Sequence, residues 1–300
     1  SRSSSDLIAG GPLNASRSRA QPRDASIAAV TSADAFAASL ETRGLMVLGD
    51  DGYGLTAEEL GLLGADLGDG RAKNISLSPD GTVRGAAADA GPLAAMMGRF
   101  AAFARAAIIE HAPAYAPHLE SGRTSFRPRA IDQRPISPRK DDRRLHADAF
   151  ASQPTGGARI LRVFANINPH GEARTWRVGE PFAAYARRFL PRARMPSAVE
   201  TWLLWRAGVT RARRTPYDGL MLGLHDAAKL DADYQRDGPR REVAFPPGTV
   251  WIAYTDALVH AAIAGRYALE QTFYLPLSAM AEPEASPARI LERLTGKKLV

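Results

Sequence analysis

His146, Ala147 and Asp148 form an H-x-D unit, and a second isolated histidine, His260, stands far downstream in a run with strand character. On an extended chain, side chains two apart leave the same face, so the unit offers an imidazole and a carboxylate side by side. A third ligand, another imidazole, must come from elsewhere in the fold, and His260 is the residue placed to supply it. Two histidines and one carboxylate on one face of a metal leave three coordination positions open. That set suits Fe(II) enzymes in which a bidentate 2-oxo acid fills two positions and O2 the third. An H-x-D alone arises often by chance, so its surroundings carry the weight. His260 follows a turn and strand, Pro247-Gly248-Thr249-Val250-Trp251, and Arg266 opens the next strand. A guanidinium there can grip the distal carboxylate of 2-oxoglutarate in a two-pronged ion pair.

Between these ligands, Arg159 to Asn168 alternates, with Leu161, Val163, Ala165 and Ile167 on one side and Arg162, Phe164, Asn166 and Asn168 on the other. A solvent-facing edge strand would explain the polar row. Asparagine, however, forms strands poorly, and two of them two residues apart point to a lined cavity. Arg162 and Asn166 are therefore further candidates to touch a cosubstrate. The remaining histidines read as structural: His111 and His118 at a helix end, His170 in a turn, and His225 in a helix, satisfied by Asp226.

The positioning elements change in kind along the chain. Residues 1–30 read as a disordered tail, and 31–120 as a mainly helical region. In the latter, Ser32 caps a helix ending near Gly44, and Thr56 and Glu59 form a capping box. Asn74 to Gly85 makes a hairpin, and Leu93, Met96, Met97, Phe100, Phe103 and Ile108 form a core stripe. From 121 to 300 short strands dominate, interrupted by a helical insert over about 181–236. The insert reads as Phe182–Leu190, Ala198–Trp205 and one long helix, Tyr217 to Tyr234. Strands resume as Glu242–Phe245, Thr249–Tyr254, Leu258–Ile263 and Tyr267–Leu275. Strands, an excursion and strands again imply an α+β, mainly β fold, an antiparallel barrel packed by N-terminal helices.

No apolar run in the sequence reaches the 18 or so residues of a membrane span, and the N-terminus lacks an export signal, so a cytoplasmic enzyme is expected. Cysteine is absent, which excludes disulfides and thiolate ligands. A net charge of +7 implies an anionic partner. Arginines concentrate at Arg187-Arg188, Arg192, Arg194, Arg211, Arg213-Arg214 and Arg240-Arg241, where they could hold an anionic substrate or dock on anionic lipid.

The order H-x-D, strand ending in Asn, turn-strand-His, then Arg resembles the 2-oxoglutarate/Fe(II) dioxygenases, whose double-stranded β-helix, or jelly-roll, barrel it implies. Arg266 stands six residues after His260, closer than in most of that superfamily, and Ala268 replaces a frequent hydroxyl. Longer stretches are similar to one family within it, the 3-deoxy-D-manno-oct-2-ulosonic acid (Kdo) 3-hydroxylases of Gram-negative bacteria. They are Arg143 to Phe150, Leu161 to Pro169 with Trp176 to Phe182, and Tyr217 to Asp226. The resemblance implies Fe(II) at His146, Asp148 and His260, 2-oxoglutarate and O2 as cosubstrates, and hydroxylation at C3 of a Kdo sugar on lipid A. Such a substrate would place the enzyme peripherally on the inner face of the inner membrane. No nucleic-acid partner is expected, because no basic-aromatic strip is present, and no obligate protein partner is evident. Two rivals stand: the same chemistry on another small molecule or protein, and a non-catalytic metal- or sugar-binding barrel.

Overall fold

The computed structural model describes residues 32–48, 52–63, 67–69, 72–87, 90–131 and 136–300. The tail expected over 1–30 lies outside them. Helix α1 (Ala33–Arg43) starts at Ser32, whose hydroxyl accepts from Ala35 N–H at 3.2 Å, and stops at left-handed Gly44, φ 75°. Strand β1 (Leu45–Val47) and helix α2 (Ala57–Leu62) follow, the latter opened by the Thr56–Glu59 capping box. Then come β2 (Ile75–Leu77), β3 (Val83–Arg84) and α3 (Gly91–His111).

At 21 residues, with a mean hydropathy of 1.3 in its most apolar window, α3 is long and apolar enough to cross a membrane. This corrects the expectation that no segment has such a character. In the fold, Leu93, Met96, Met97, Phe100, Ala104, Ala107 and Ile108 are buried, in one core with Phe36 and Leu40 of α1 and with sheet residues. A core helix passes the same test of length and composition.

Seven antiparallel strands form the larger sheet in the order β1-β8-β5-β10-β4-β2-β3. Here β4 is Glu120–Arg127, β5 Arg159–Asn166, β8 Val250–Tyr254 and β10 Ala268–Leu275. A second sheet, β7-β6-β9, uses β6 (Arg174–Gly179), β7 (Arg240–Phe245) and β9 (His260–Ala264). The pair of sheets is the jelly roll.

Period-two alternation splits each central strand between two environments. Leu161, Val163 and Ala165 of β5 join the core under the N-terminal helices. Phe164 turns inward to stack on Trp251 at 5.2 Å, Trp251 stacks on Phe245 at 3.9 Å, and Trp176 meets both edge-on. All eight β5 residues are buried between β8 and β10, so the edge-strand reading of the polar row falls.

The insert leaves β6 after Gly179 and returns at Arg240, which face each other in register. It contains α4 (Phe182–Phe189), α5 (Ala198–Arg206), α6 (Pro216–Leu230) and α7 (Ala232–Asp237). The long helix expected from Tyr217 to Tyr234 is thus two. Asp231 takes an extended ψ of 102° and accepts from Tyr234 N–H, ending one helix and capping the next. The C-terminal α8 (Pro287–Thr295) packs with α4 and α6 on Val259, just before β9, and Ala261 within it. The sequence reading did not anticipate β4, β6 or α8.

Candidate active site

His146 is held to His260 by a two-residue bridge, with backbone N–H groups donating in both directions at 3.0 and 2.8 Å. Asp148 follows at i+2, and its N–H donates to Thr255 O at 2.8 Å. Only the bridge residue itself has strand character, since 147–150 are irregular. The backbone thereby brings one ligand atom from each of His146, Asp148 and His260 within 4.8 Å of one another.

The donor chemistry of this group fits a divalent metal. Nδ1 of His146 lies 2.7 Å from Arg144 O and Nδ1 of His260 lies 2.8 Å from Leu258 O. Each Nδ1 must donate to its carbonyl, which leaves each Nε2 a bare lone pair. Burial pushes the His146 imidazole down to about 4 and lowers that of His260, so both are neutral at neutral pH. Burial alone would raise the Asp148 carboxyl, yet Arg162 and His146 hold it well below the ordinary carboxylate range. Its Oδ2 is buried without a hydrogen bond, Arg162 Nη2 lying 3.2 Å away. Two imidazole lone pairs and an under-satisfied carboxylate oxygen converge where a cation would satisfy all three. Trp176 stacks on His260 at 5.0 Å, and His225 meets His146 edge-on at 5.4 Å, fixing both rings.

The group opens onto a cavity of about 490 Å³. One wall comes from the barrel, including Arg127, Arg162, Arg174 and Glu270, and the other from α6, through Leu222, His225, Asp226 and Lys229. Glu270 pairs with both Arg127, at 2.6 Å, and Arg162, at 3.0 Å. Arg174 is different. Its side chain is buried, Nη1 donates to Gly265 O at 2.8 Å, and no carboxylate among the described residues lies within ion-pair distance. Burial, followed by repulsion from Arg127, lowers this guanidinium to about 9.

The other residues expected to grip a cosubstrate divide. Arg162 does reach the cavity. Asn166 does not line it: its amide donates to Glu172 O and Phe245 O at 3.0 and 2.9 Å, pinning the loop after β5. Arg266 is also outside, 40% exposed, 3.7 Å from Glu172 and stacked on the Tyr267 ring. The cause is local: Gly265 and Tyr267 both take positive φ, 98° and 57°, so β10 begins only at Ala268. Arg266 sits in a turn and does not share the inward row of Ala268 and Glu270. Arg174 escaped the sequence reading because β6 was not recognised. Its alternation with Trp176 and Val178 was the available signal.

The family described as 3-deoxy-D-manno-oct-2-ulosonic acid (Kdo) hydroxylase matches residues 24–298. The chain belongs to the Kdo hydroxylase family. Crystal structures of the Kdo hydroxylase KdoO, a non-haem Fe(II) alpha-ketoglutarate-dependent dioxygenase, are similar throughout. The complex with alpha-ketoglutarate and Fe(III) is 41% identical with a TM-score of 0.83, covering 89% of this chain and 91% of that one. The cobalt(II) complex has 42% identity and a TM-score of 0.84, and the succinate and Fe(III) complex 41% and 0.83, both with the same coverage. No curated protein sequence matches. Membership in the Kdo hydroxylases makes the chain a non-haem iron, 2-oxoglutarate-dependent dioxygenase of the jelly-roll class, and rules out the non-catalytic barrel.

Proposed function

We propose that this Kdo hydroxylase acts at C3 of a Kdo sugar carried on lipid A, with iron held by His146, Asp148 and His260. The observation that carries the site assignment is the lone Arg174 guanidinium, buried beside the ligand group without a carboxylate. A buried cation costs several kcal/mol unless paired, so the cavity is built to receive an anion there. The distal carboxylate of 2-oxoglutarate meets that need, and Arg174 takes the role first expected of Arg266.

Iron, when bound, supplies the activation of O2 and the oxidative decarboxylation of the 2-oxo acid. The protein's own groups do the placing. The Arg144 and Leu258 carbonyls orient the two imidazoles, and Arg162 keeps Asp148 ionised. Phe164 and Trp176 line the barrel side of the cavity and exclude water. Arg139, Lys140 and Lys229, on the insert side, are positioned to meet the carboxylate of the sugar acid.

The lipid A substrate also implies a peripheral location on the cytoplasmic face of the inner membrane, supported by the exposed arginines of the insert. Mass spectrometry of lipid A-core from cells with and without the gene tests the substrate. One added oxygen on a Kdo unit, dependent on the gene, is expected. Unchanged Kdo, with succinate released only on another acceptor, would replace lipid A by that acceptor.

A further inference from the structure

Eight large hydrophobic residues are exposed among those described, and six of them fall between Met195 and Val209. They are Met195, Val199, Trp202, Leu203, Trp205 and Val209, each at least 43% exposed. Helix α5 carries four. Val199, Trp202 and Leu203 stand at i, i+3 and i+4, one face of a helix, and its single buried residue, Thr201, lies on the opposite side. The helix is well formed, with Ser197 capping Glu200 N–H at 3.1 Å, yet it turns its apolar face away from the core. Six exposed apolar side chains gathered within fifteen residues of chain mark an interaction surface.

The charges around it name the partner. Arg206 and Arg213 are exposed and have no side-chain partner among the described residues, and Arg211 uses only its backbone N–H. Arg194 is 84% exposed, with Glu200 at 3.5 Å as its sole carboxylate among the described residues. Tryptophan and leucine rimmed by arginine is the composition of a segment that lies in the headgroup layer of an anionic bilayer. The patch is also tied to the cavity. Arg211 N–H donates to Ser152 O at 2.9 Å and the Arg214 guanidinium to Ala151 O at 2.5 Å, while Ala151 and Phe150 line the cavity.

We infer that α5 and its flanks insert into the surface of an anionic membrane and set the cavity mouth against the headgroups. This rests on the peripheral location proposed above and adds a depth and an element to it: apolar insertion, where arginines alone would only hover. Binding should therefore keep a component that salt does not remove.

The chain itself carries the probe. Of its four tryptophans, Trp176 and Trp251 are buried, leaving Trp202 and Trp205 to report on lipid. Full-length protein would be mixed with vesicles of phosphatidylglycerol and phosphatidylethanolamine, with and without bromine-labelled acyl chains, at low and high salt. Quenching by the brominated lipid and residual binding at high salt are expected. Trp202→Ser with Leu203→Ser should lower partitioning by about tenfold or more, with unchanged Tm and unchanged uncoupled 2-oxoglutarate turnover. Binding that is abolished by salt and never quenched would overturn insertion while leaving electrostatic docking in place. No binding at any ionic strength would remove the peripheral location as well. A dimer that the double substitution dissociates, without lipid quenching, would assign the face to self-association and overturn the inference.

Discussion

Arg174 of β6 reaches Gly265 O in the turn that joins β9 to β10, where Arg266 sits, yet the surroundings of the two guanidinium groups give them opposite expectations. Arg174→Ala should raise the apparent KM for 2-oxoglutarate by roughly ten- to a hundredfold, the loss of a charge-assisted pair worth about 1.5–3 kcal/mol. Arg266→Ala, exposed and loosely paired with Glu172, should change it by less than about twofold. Steady-state kinetics with varied cosubstrate decide between them, and the reverse pattern would return the anchor to Arg266. His146→Ala or His260→Ala should abolish turnover and iron retention with the fold intact by circular dichroism. Near-normal activity in either would dismiss the triad. The clustering of His146, Asp148 and His260 was legible in the sequence because H-x-D sets two of these side chains on one face and His260 stands on a strand beyond. The proposed anchor was not, because the mark of Arg174 is a missing partner, which only its folded surroundings reveal. Asn166 lies outside the cavity lining for a related reason: a polar residue on an inward row can serve the backbone of a loop as readily as a ligand.

At the level of elements, capping residues and stripes predicted well, and breaks within runs did not. Thr56 and Glu59 announce α2, and the structure adds Arg99, whose Nε donates to Glu59 at 2.8 Å. Burial would raise the Glu59 carboxyl, but Arg99 and Thr56 N–H bring it below its ordinary value. A depressed folded-state pKa contributes stability above the unfolded value, near 4.5, that is lost as pH falls through the folded one. Glu59→Gln should therefore lower Tm at neutral pH by a few degrees, about 1–2 kcal/mol. The gap from the parent should close as pH drops below that value. A gap that persists in acid would mean packing, not charge, is what the substitution removes. A second element-level tie was invisible in sequence: buried Glu41 of α1 accepts from Ala281 N–H at 3.0 Å and also from the Tyr115 hydroxyl and Glu282 N–H. Glu41→Ala strands these donors and should cost about 3 kcal/mol in denaturant unfolding. No neighbouring residue in the chain hints at it, since its partners lie far along the sequence.

Over the whole molecule, the +7 charge is unevenly placed. Arg187, Arg206 and Arg213 of the insert are exposed and lack side-chain partners among the described residues, whereas Arg188 and Arg192 are paired with Glu180 and Asp231. Each free arginine near an anionic surface adds about 1 kcal/mol of attraction, screened within a Debye length. Arg206→Glu with Arg213→Glu should therefore weaken vesicle binding most at low salt, measured by co-sedimentation. An unchanged salt profile would leave these arginines as solvated surface.

Gly179 and Arg240, where the insert leaves and rejoins the barrel, sit opposite one another as paired neighbours of one hairpin. Everything between them is, in topological terms, a hairpin loop grown to hold four helices. The three metal-ligand candidates and Arg162 and Arg174 all lie outside that loop, while Leu222, His225, Asp226 and Lys229 lie within it. The candidate iron and cosubstrate residues thus lie on one stretch of chain and the facing α6 wall on another, with Arg139 and Lys140 added from before β5. An exchange of the loop for another of equal span would re-aim the same oxidising centre at a different molecule, with no ligand residue altered.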